Sequence, residues 1–309
     1  MNYTLELASQ SGTEHIRDRL ESSFSWLRER GYNLNIDEKP GTIKVLMVTL
    51  TGPSEFGLFH DEDIVYIFQH QLAEILSETI TTWWEEDLTR RQIEKTCKLL
   101  SNEEQAQLVA KSVDFLRHCN DNESLNLLLK FGRKNKISHR ILEHLHQADR
   151  LNVDGLIRFA LRDYLREIRF AVELAYEEYK NEKQYNEFVK LLKYFVDTQP
   201  PKVMEVNIMV FEEGNFSLWD EKGEPIKQDL IDFYSNEDIT GDNTTLEDVL
   251  ISILITISPR RIVFHSTKGL FNNDATKVIR KVFKNRFLVC PGCERCQRIQ
   301  SPGDQDRLV

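Results

Sequence analysis

The stretch FVDTQPPKVMEVNIMV, residues 195–210, decides the fold because the hydrophobic pattern changes within it. Before this stretch, apolar residues recur at three- and four-residue spacing, as on one face of an amphipathic helix. From Met204 onward, every second residue is apolar, which is typical of a β-strand. The two prolines in the middle cannot continue a helix, and they disfavour helix at the preceding residue. We therefore predict a helical region that ends at residue 199 and a β-containing region that begins at residue 200.

The pattern of the C-terminal region predicts alternating strands and helices. Glu213-Gly214-Asn215 predicts a turn, so that residues 216–220 return as the second strand of a hairpin. Thr245 and Asp248 predict a capped helix start. The later elements are a helix to residue 257, a strand at 261–265, a helix at 273–284 and a strand at 287–289. A strand–helix–strand series favours parallel strands with helices packed against the sheet.

The regions before residue 199 are a β-α-β unit and a helical segment. The pattern predicts a strand at residues 3–8, a helix at 13–30 and a strand at 42–50. Further along, Ser101 with Glu104 forms a capping-box pattern, and Asn152 or Asp154 opens a long helix.

The predicted class is α+β, with a helical middle region and a small C-terminal α/β domain. The strands of the N-terminal unit are candidates to join the C-terminal sheet. The predicted domains are 1–59, 60–199 and 200–309.

Composition limits the class of protein. The 309 residues are 40% hydrophobic and 29% charged, which is ordinary for a globular protein with its own core. Five cysteines are an odd number, and Cys97 and Cys119 stand alone, unlike the cysteines of a secreted disulfide scaffold. The N-terminus lacks a signal-peptide pattern, and the longest apolar run is far shorter than the ~20 residues that cross a bilayer. We therefore predict a soluble, cytoplasmic protein without a membrane span.

Charge is distributed unevenly along the chain. The net charge is −10, yet residues 260–309 hold 11 Lys/Arg against 4 Asp/Glu. Such asymmetry indicates either a site for an anionic partner or a basic segment that docks on the protein's own acidic remainder. The sequence leaves both interpretations open.

Three cysteines near the C-terminus carry the strongest local signal. Cys290, Cys293 and Cys296 occur with two residues between neighbours, and Pro291-Gly292 favours a bend between the first two. Thiolates at this spacing bind soft or borderline metals, and Zn²⁺ is the expected one. A structural zinc site needs four ligands. His265 is the candidate fourth ligand, because it ends a predicted strand next to the one that precedes Cys290. A residue of another chain, a water molecule or no fourth ligand at all are the alternatives for this position. A thiol redox pair and a turn with free thiols are the alternatives.

A basic helix face offers a second, unfavoured site. Lys277, Arg280, Lys281 and Lys284 lie opposite apolar residues of the predicted helix at 273–284. Such a face can neutralise phosphates and bind nucleic acid. It is also what any solvated helix shows, and we favour that interpretation. Nucleophilic catalysis has no support, because the chain lacks a G-x-S-x-G motif, a phosphate-binding glycine loop and a dinucleotide fingerprint. We therefore assign no catalytic residue.

The second half of the chain resembles a known family. The segments at residues 153–179, 185–208 and 246–265 carry the resemblance, with two specific motifs: F-V-D-x-Q-x-P-K at residues 195–202 and C-x-G-C-x-x-C at residues 290–296. These segments are similar to the YtxC-like proteins of spore-forming bacteria, a sporulation family without an established activity. The resemblance implies a sporulation-associated cytoplasmic protein. We expect a non-enzymatic protein that binds a partner protein or a metal, with a nucleic-acid-binding protein or a thiol redox enzyme as alternatives.

Overall fold

A computed structural model of the chain describes residues 2–52, 60–118, 122–210, 216–226, 246–266 and 274–299. The chain divides into two compact units, Met1–Lys180 and Asn181–Val309. Each unit has a four-stranded sheet and packed helices among its described residues. The predicted α+β class, with a helical middle region and C-terminal strands, is therefore confirmed. The division into domains 1–59, 60–199 and 200–309 stays a prediction.

The sheet of the first unit has the order β2-β3-β1-β4. Its strands are β1 (Asn2–Ser9), β2 (Asn33–Lys39), β3 (Lys44–Thr51) and β4 (Arg150–Asn152). β3 pairs antiparallel with both β1 and β2, and β1 pairs parallel with β4. Two helices, α1 (Thr13–Ser23) and α2 (Ser25–Glu29), connect β1 to β2.

Two expectations about this sheet are corrected. In the described part of the chain, the N-terminal strands do not join the C-terminal sheet, because β1 takes β4 as its neighbour on the free side. Strand β2 was also not predicted, although Leu34 and Ile36 alternate with polar residues as in a half-exposed strand. The predicted helix at 13–30 is interrupted at Phe24, whose backbone leaves the helical region with ψ of 16°.

Helices form the rest of the first unit. They are α3 (Asp61–Thr79), α4 (Glu85–Thr96), α5 (Asn102–Arg117), α6 (Glu123–Leu145), α7 (Val153–Phe159) and α8 (Arg162–Thr198). The Ser101 capping box is confirmed, because the Ser101 hydroxyl accepts from the Glu104 amide and the Glu104 carboxylate accepts from the Ser101 amide. Asn152 caps α7 through the Gly155 amide. The predicted long helix is interrupted at Ala160, so that α8 starts anew, continues into the second unit and ends before the prolines.

A π-helical segment, Ile80–Trp84, joins α3 to α4. It turns Trp84 and Glu85 into the interior, where each is 1% exposed. Tyr164 donates a 3.0 Å hydrogen bond to Glu85 Oε2, and an Arg133 nitrogen lies 3.7 Å from the same oxygen. Burial raises the pKa of the Glu85 carboxyl, although Tyr164 and two arginines, Arg133 and Arg117, partly offset the effect.

The core of the first unit lies between the inner face of the sheet and the helices. Aromatic rings occupy its centre, where the rings of Phe24 and Phe68 lie 4.8 Å apart and Tyr3 meets Phe68 edge-on. No helix among the described residues has the length and apolar character needed to cross a membrane.

The second unit has a sheet of order β6-β5-β7-β8. Its elements are β5 (Glu205–Val210), β6 (Phe216–Trp219), α9 (Leu246–Ile257), β7 (Arg261–Ser266), α10 (Asp274–Val282), β8 (Phe287–Val289) and α11 (Glu294–Ile299). β5, β7 and β8 are parallel, and β6 is antiparallel to β5. The parallel strands and the hairpin strands are as predicted. The predicted turn at 213–215 and the Thr245 cap lie outside the described residues.

The two faces of this sheet have different roles. Val206, Ile208, Ile262 and Phe264 point to one face, where α9, α10 and the end of α8 form the apolar core. Because successive side chains of a strand point to opposite faces, the residues between them point the other way. Asn207, Met209 and His265 therefore share the second face, which positions the candidate site.

Candidate metal centre

His265 and the three cysteines meet beside the carboxyl ends of the parallel strands. His265 lies in β7, in register with Met209 of β5. Cys290 directly follows β8, and its amide donates a 2.9 Å hydrogen bond to the Phe264 carbonyl. Gly292 has φ of 115°, a conformation that favours glycine and turns the chain toward α11. Cys293 precedes α11 and Cys296 lies within it. One short turn thus brings all three thiols to His265.

The four potential ligand atoms lie close together. His265 Nδ1 is 3.4 Å from Cys296 Sγ and 3.5 Å from Cys293 Sγ. Cys296 Sγ is 3.6 Å from Cys293 Sγ and 3.9 Å from Cys290 Sγ. All four atoms lie within 4.8 Å of one another. Tetrahedral zinc, with its usual bond lengths, separates two sulfurs by about 3.8 Å and a sulfur from a nitrogen by about 3.6 Å. The four separations of 3.4–3.9 Å are close to these values.

The cysteines are free thiols, and their surroundings differ. Burial raises the pKa of the Cys296 thiol to about 11. Burial acts on Cys293 in the same direction, but the Cys296 amide and the neighbouring thiols outweigh it, so the pKa of Cys293 is lowered. Burial, followed by the positive charge of Arg295, lowers the pKa of His265. The imidazole is therefore neutral at neutral pH and keeps a lone pair for a metal.

Asn207 fixes the orientation of the His265 ring. The amide nitrogen of Asn207 donates to the Asp220 carbonyl at 3.2 Å and to the Glu205 carboxylate at 3.1 Å. Its Oδ1 atom is therefore left to accept from His265 Nε2, at 3.0 Å. We assign the imidazole proton to Nε2 on this basis, which leaves Nδ1 unprotonated and directed at the thiols. Metal-binding histidines commonly have such a partner.

Aromatic residue Trp219 covers one side of the cluster formed by His265 and the three cysteines. The Trp219 ring lies 5.0 Å from the His265 ring, and the guanidinium of Arg295 lies 4.9 Å over the Trp219 ring. Trp219, Met209 and Cys296 are buried together. Sequence reasoning named the four ligand atoms but missed Asn207 and Trp219. The polar residue between Val206 and Ile208 is visible in the sequence, but its position beside His265 is shown only by the pairing of β5 with β7.

The basic residues lie elsewhere on the second unit. Lys277, Arg280 and Lys281 of α10, and Lys284 just after it, are exposed, while the apolar side of α10 packs on the core face of the sheet. Arg280 lies 5.4 Å over the Phe287 ring, and Lys281 lies 4.8 Å over the Tyr185 ring. The helix and the cysteines are thus on opposite faces of the sheet, and the structure does not bring them together. A nucleic-acid role for these residues stays a prediction.

Comparison with known proteins places the chain in a family. The fold and the Cys/His group define an α+β protein with one candidate metal centre among its described residues. The model of the YtxC-like family matches residues 70–288, so the chain belongs to that family. The matched range includes His265 and Asn207 but ends before Cys290.

A curated relative supports the same placement. The chain is 24% identical, over 163 residues, to "Uncharacterized protein YtxC" of Bacillus subtilis (strain 168). The aligned segment covers 53% of this chain and 56% of the relative, so the chain spans about half the length of that relative. No solved structure matches the chain.

Proposed function

We propose that the protein is a metal-binding protein in which His265, Cys290, Cys293 and Cys296 hold one Zn²⁺. The observation that carries this proposal is the convergence of one imidazole nitrogen and three sulfurs, with four of their six separations at 3.4–3.9 Å and all of them within 4.8 Å. Nitrogen and thiolate ligands in a tetrahedral arrangement favour zinc over the harder Mg²⁺ and Ca²⁺.

The proposed zinc has a structural role. Four protein ligands complete a tetrahedral shell, whereas catalytic zinc sites keep one position for water or substrate. The metal would link three elements: β7, which contains His265; the end of β8, which Cys290 follows; and α11, which Cys293 precedes and Cys296 belongs to. This arrangement supports a non-enzymatic binding protein, in which the metal stabilises a surface for a partner protein.

The biological setting follows from the resemblance and the thiols. Membership of the YtxC-like family, with the resemblance to sporulation proteins, supports a sporulation-associated role. Three free thiols near one another suit a reducing compartment, which supports a cytoplasmic location. A deletion strain, scored for spore formation and complemented by the full chain or by Cys293→Ser, tests both the role and its dependence on the metal.

Metal analysis of the full chain, purified anaerobically without chelator, tests the zinc proposal. We expect up to one zinc per chain, with loss of the metal in Cys293→Ser and His265→Ala. Cys97→Ser is the matched control, because Cys97 is a buried free thiol outside the group. It should keep its zinc.

Two outcomes would contradict the proposal. Folded wild-type protein that holds no metal and takes up none from added Zn²⁺ excludes a zinc site. Thiols that react equally fast with and without zinc, and cycle between Cys293–Cys296 disulfide and dithiol, would favour the redox alternative, for which the 3.6 Å separation of these two sulfurs is suitable.

A further inference from the structure

The first half of α6 exposes apolar side chains over more than half of its circumference, and polar residues occupy the remaining side. Its five large apolar residues are between 38% and 67% exposed: Leu125, Leu127, Leu128, Leu129 and Phe131. Leu127 and Phe131 continue the stripe that is buried further along the helix at Ile141 and Leu145. Large exposed apolar patches mark interaction sites. This half of α6 therefore needs a covering partner.

A second apolar stripe lies on α8 within the same unit, and acidic residues lie beside it. Phe170 and Leu174 are 61% and 43% exposed, and Glu173 and Glu177 share their face at helical spacing. On α6, Leu125, Leu128, Leu129 and Lys136 share a face by the same spacing rule and form the α6 stripe. Within the described residues, neither glutamate nor Lys136 forms an ion pair. Both stripes are exposed in one copy of the chain, so they do not cover each other there.

We propose that the α6 stripe of one copy packs on the α8 stripe of a second copy, and that the reverse contact forms at the same time. A two-fold dimer of this kind is closed and uses each stripe once. Leucines with a lysine would meet a phenylalanine and a leucine with two glutamates, which is complementary in both apolar character and charge. The acidic α8 stripe would repel an anionic membrane, so lipid binding would cover only the α6 stripe. Self-association covers both stripes.

The exposed area is sufficient for a dimer. The five large apolar side chains of the two stripes leave on the order of 500 Å² exposed per copy, if a fully exposed large side chain counts as about 200 Å². A standard stable interface buries about 800 Å² per partner. The polar side chains beside the two stripes supply the difference. This inference does not depend on the metal site, since both stripes belong to the first unit.

Sedimentation of the full chain over a range of micromolar concentrations tests the proposal. We expect a monomer–dimer equilibrium that Leu128→Asp shifts to monomer, with at least a hundredfold rise in the dimer Kd. Leu99→Asp is the matched control, because Leu99 is fully exposed and lies outside both stripes. It should leave the Kd unchanged, and circular dichroism shows that both variants are folded.

Charge reversal identifies the pairing. Lys136→Glu alone, and Glu173→Lys with Glu177→Lys, should each weaken the dimer roughly tenfold, because each exposed contact occurs twice. The three changes combined should restore most of the affinity. A wild-type monomer at all concentrations, equal Kd values for Leu128→Asp and Leu99→Asp, or no recovery in the combined variant each overturns the proposal. A monomer that binds anionic phosphatidylserine vesicles also overturns it, in favour of a lipid surface.

Discussion

Replacement of Asn207 by leucine isolates the hydrogen bond that orients His265. The change removes the oxygen that accepts from His265 Nε2 at 3.0 Å while it keeps a side chain of similar size in a buried position. The imidazole is then free to rotate or to place its proton on Nδ1, the atom that faces the thiols. Loss of such a supporting group typically weakens metal binding by roughly 10- to 100-fold, or about 1.4–2.7 kcal/mol.

Competition with a chromophoric zinc chelator at constant pH measures the change in affinity. Asn207→Asp is the comparison variant, because it keeps an oxygen acceptor for His265 Nε2 and replaces the donors to Asp220 and Glu205 with a second, negatively charged oxygen. It should bind zinc at least as well as the wild type. Two results would refute the reasoning: wild-type affinity in Asn207→Leu, or equal losses in both variants, since the donors or the packing would then matter and the acceptor would not.

Three further predictions concern the first unit. Phe68→Ala should lower the free energy of unfolding by about 3–5 kcal/mol, as measured in urea, because Phe68 is fully buried against Phe24 and Tyr3; an effect below 1 kcal/mol would argue against this core. Ser101→Ala should cost about 1 kcal/mol in the same assay through loss of the α5 cap, whereas Ser101→Asn should retain most of it. The pKa of Glu85 is raised in the native state above its unfolded value, so the native state binds the proton more tightly. The contribution of Glu85 to stability is therefore greatest below the ordinary glutamate pKa, and it is lost as the pH rises from that value through the native pKa. Glu85→Gln should therefore gain stability relative to wild type over that rise in pH, and a difference that is constant with pH would contradict the assignment.

The sequence was most informative where local chemistry determines structure. The prolines after residue 199 end α8, Ser101 starts α5, and β8 has the predicted limits. Prediction failed where distant contacts decide. The backbone at Phe24 and the π-helical segment after α3 change direction without a change in apolar spacing, and β1 selects β4 from 144 residues away.

The candidate site shows the same division. His265 was inferred from the general rule that parallel strands end side by side, and the cysteines from their spacing. Asn207 was missed because its role appears only when β5 and β7 are neighbours, 58 residues apart in sequence. The role of Asn207 depends on the strand order, which the sequence did not specify.

The shortness of β8 has a consequence for the order in which the protein is made. β8 has three residues and pairs with β7. Because the ribosome makes β8 after β7, this edge of β7 is unpaired until β8 has been synthesised. Three residues form too few ladder bonds to hold an edge strand firmly. Cys290 follows β8 at once, so a metal ion bound by His265 and the cysteines would close a loop of about thirty residues around that strand. Such a metal ion would then stabilise the last strand pairing of the sheet to form, and without it the β7 edge would stay poorly paired.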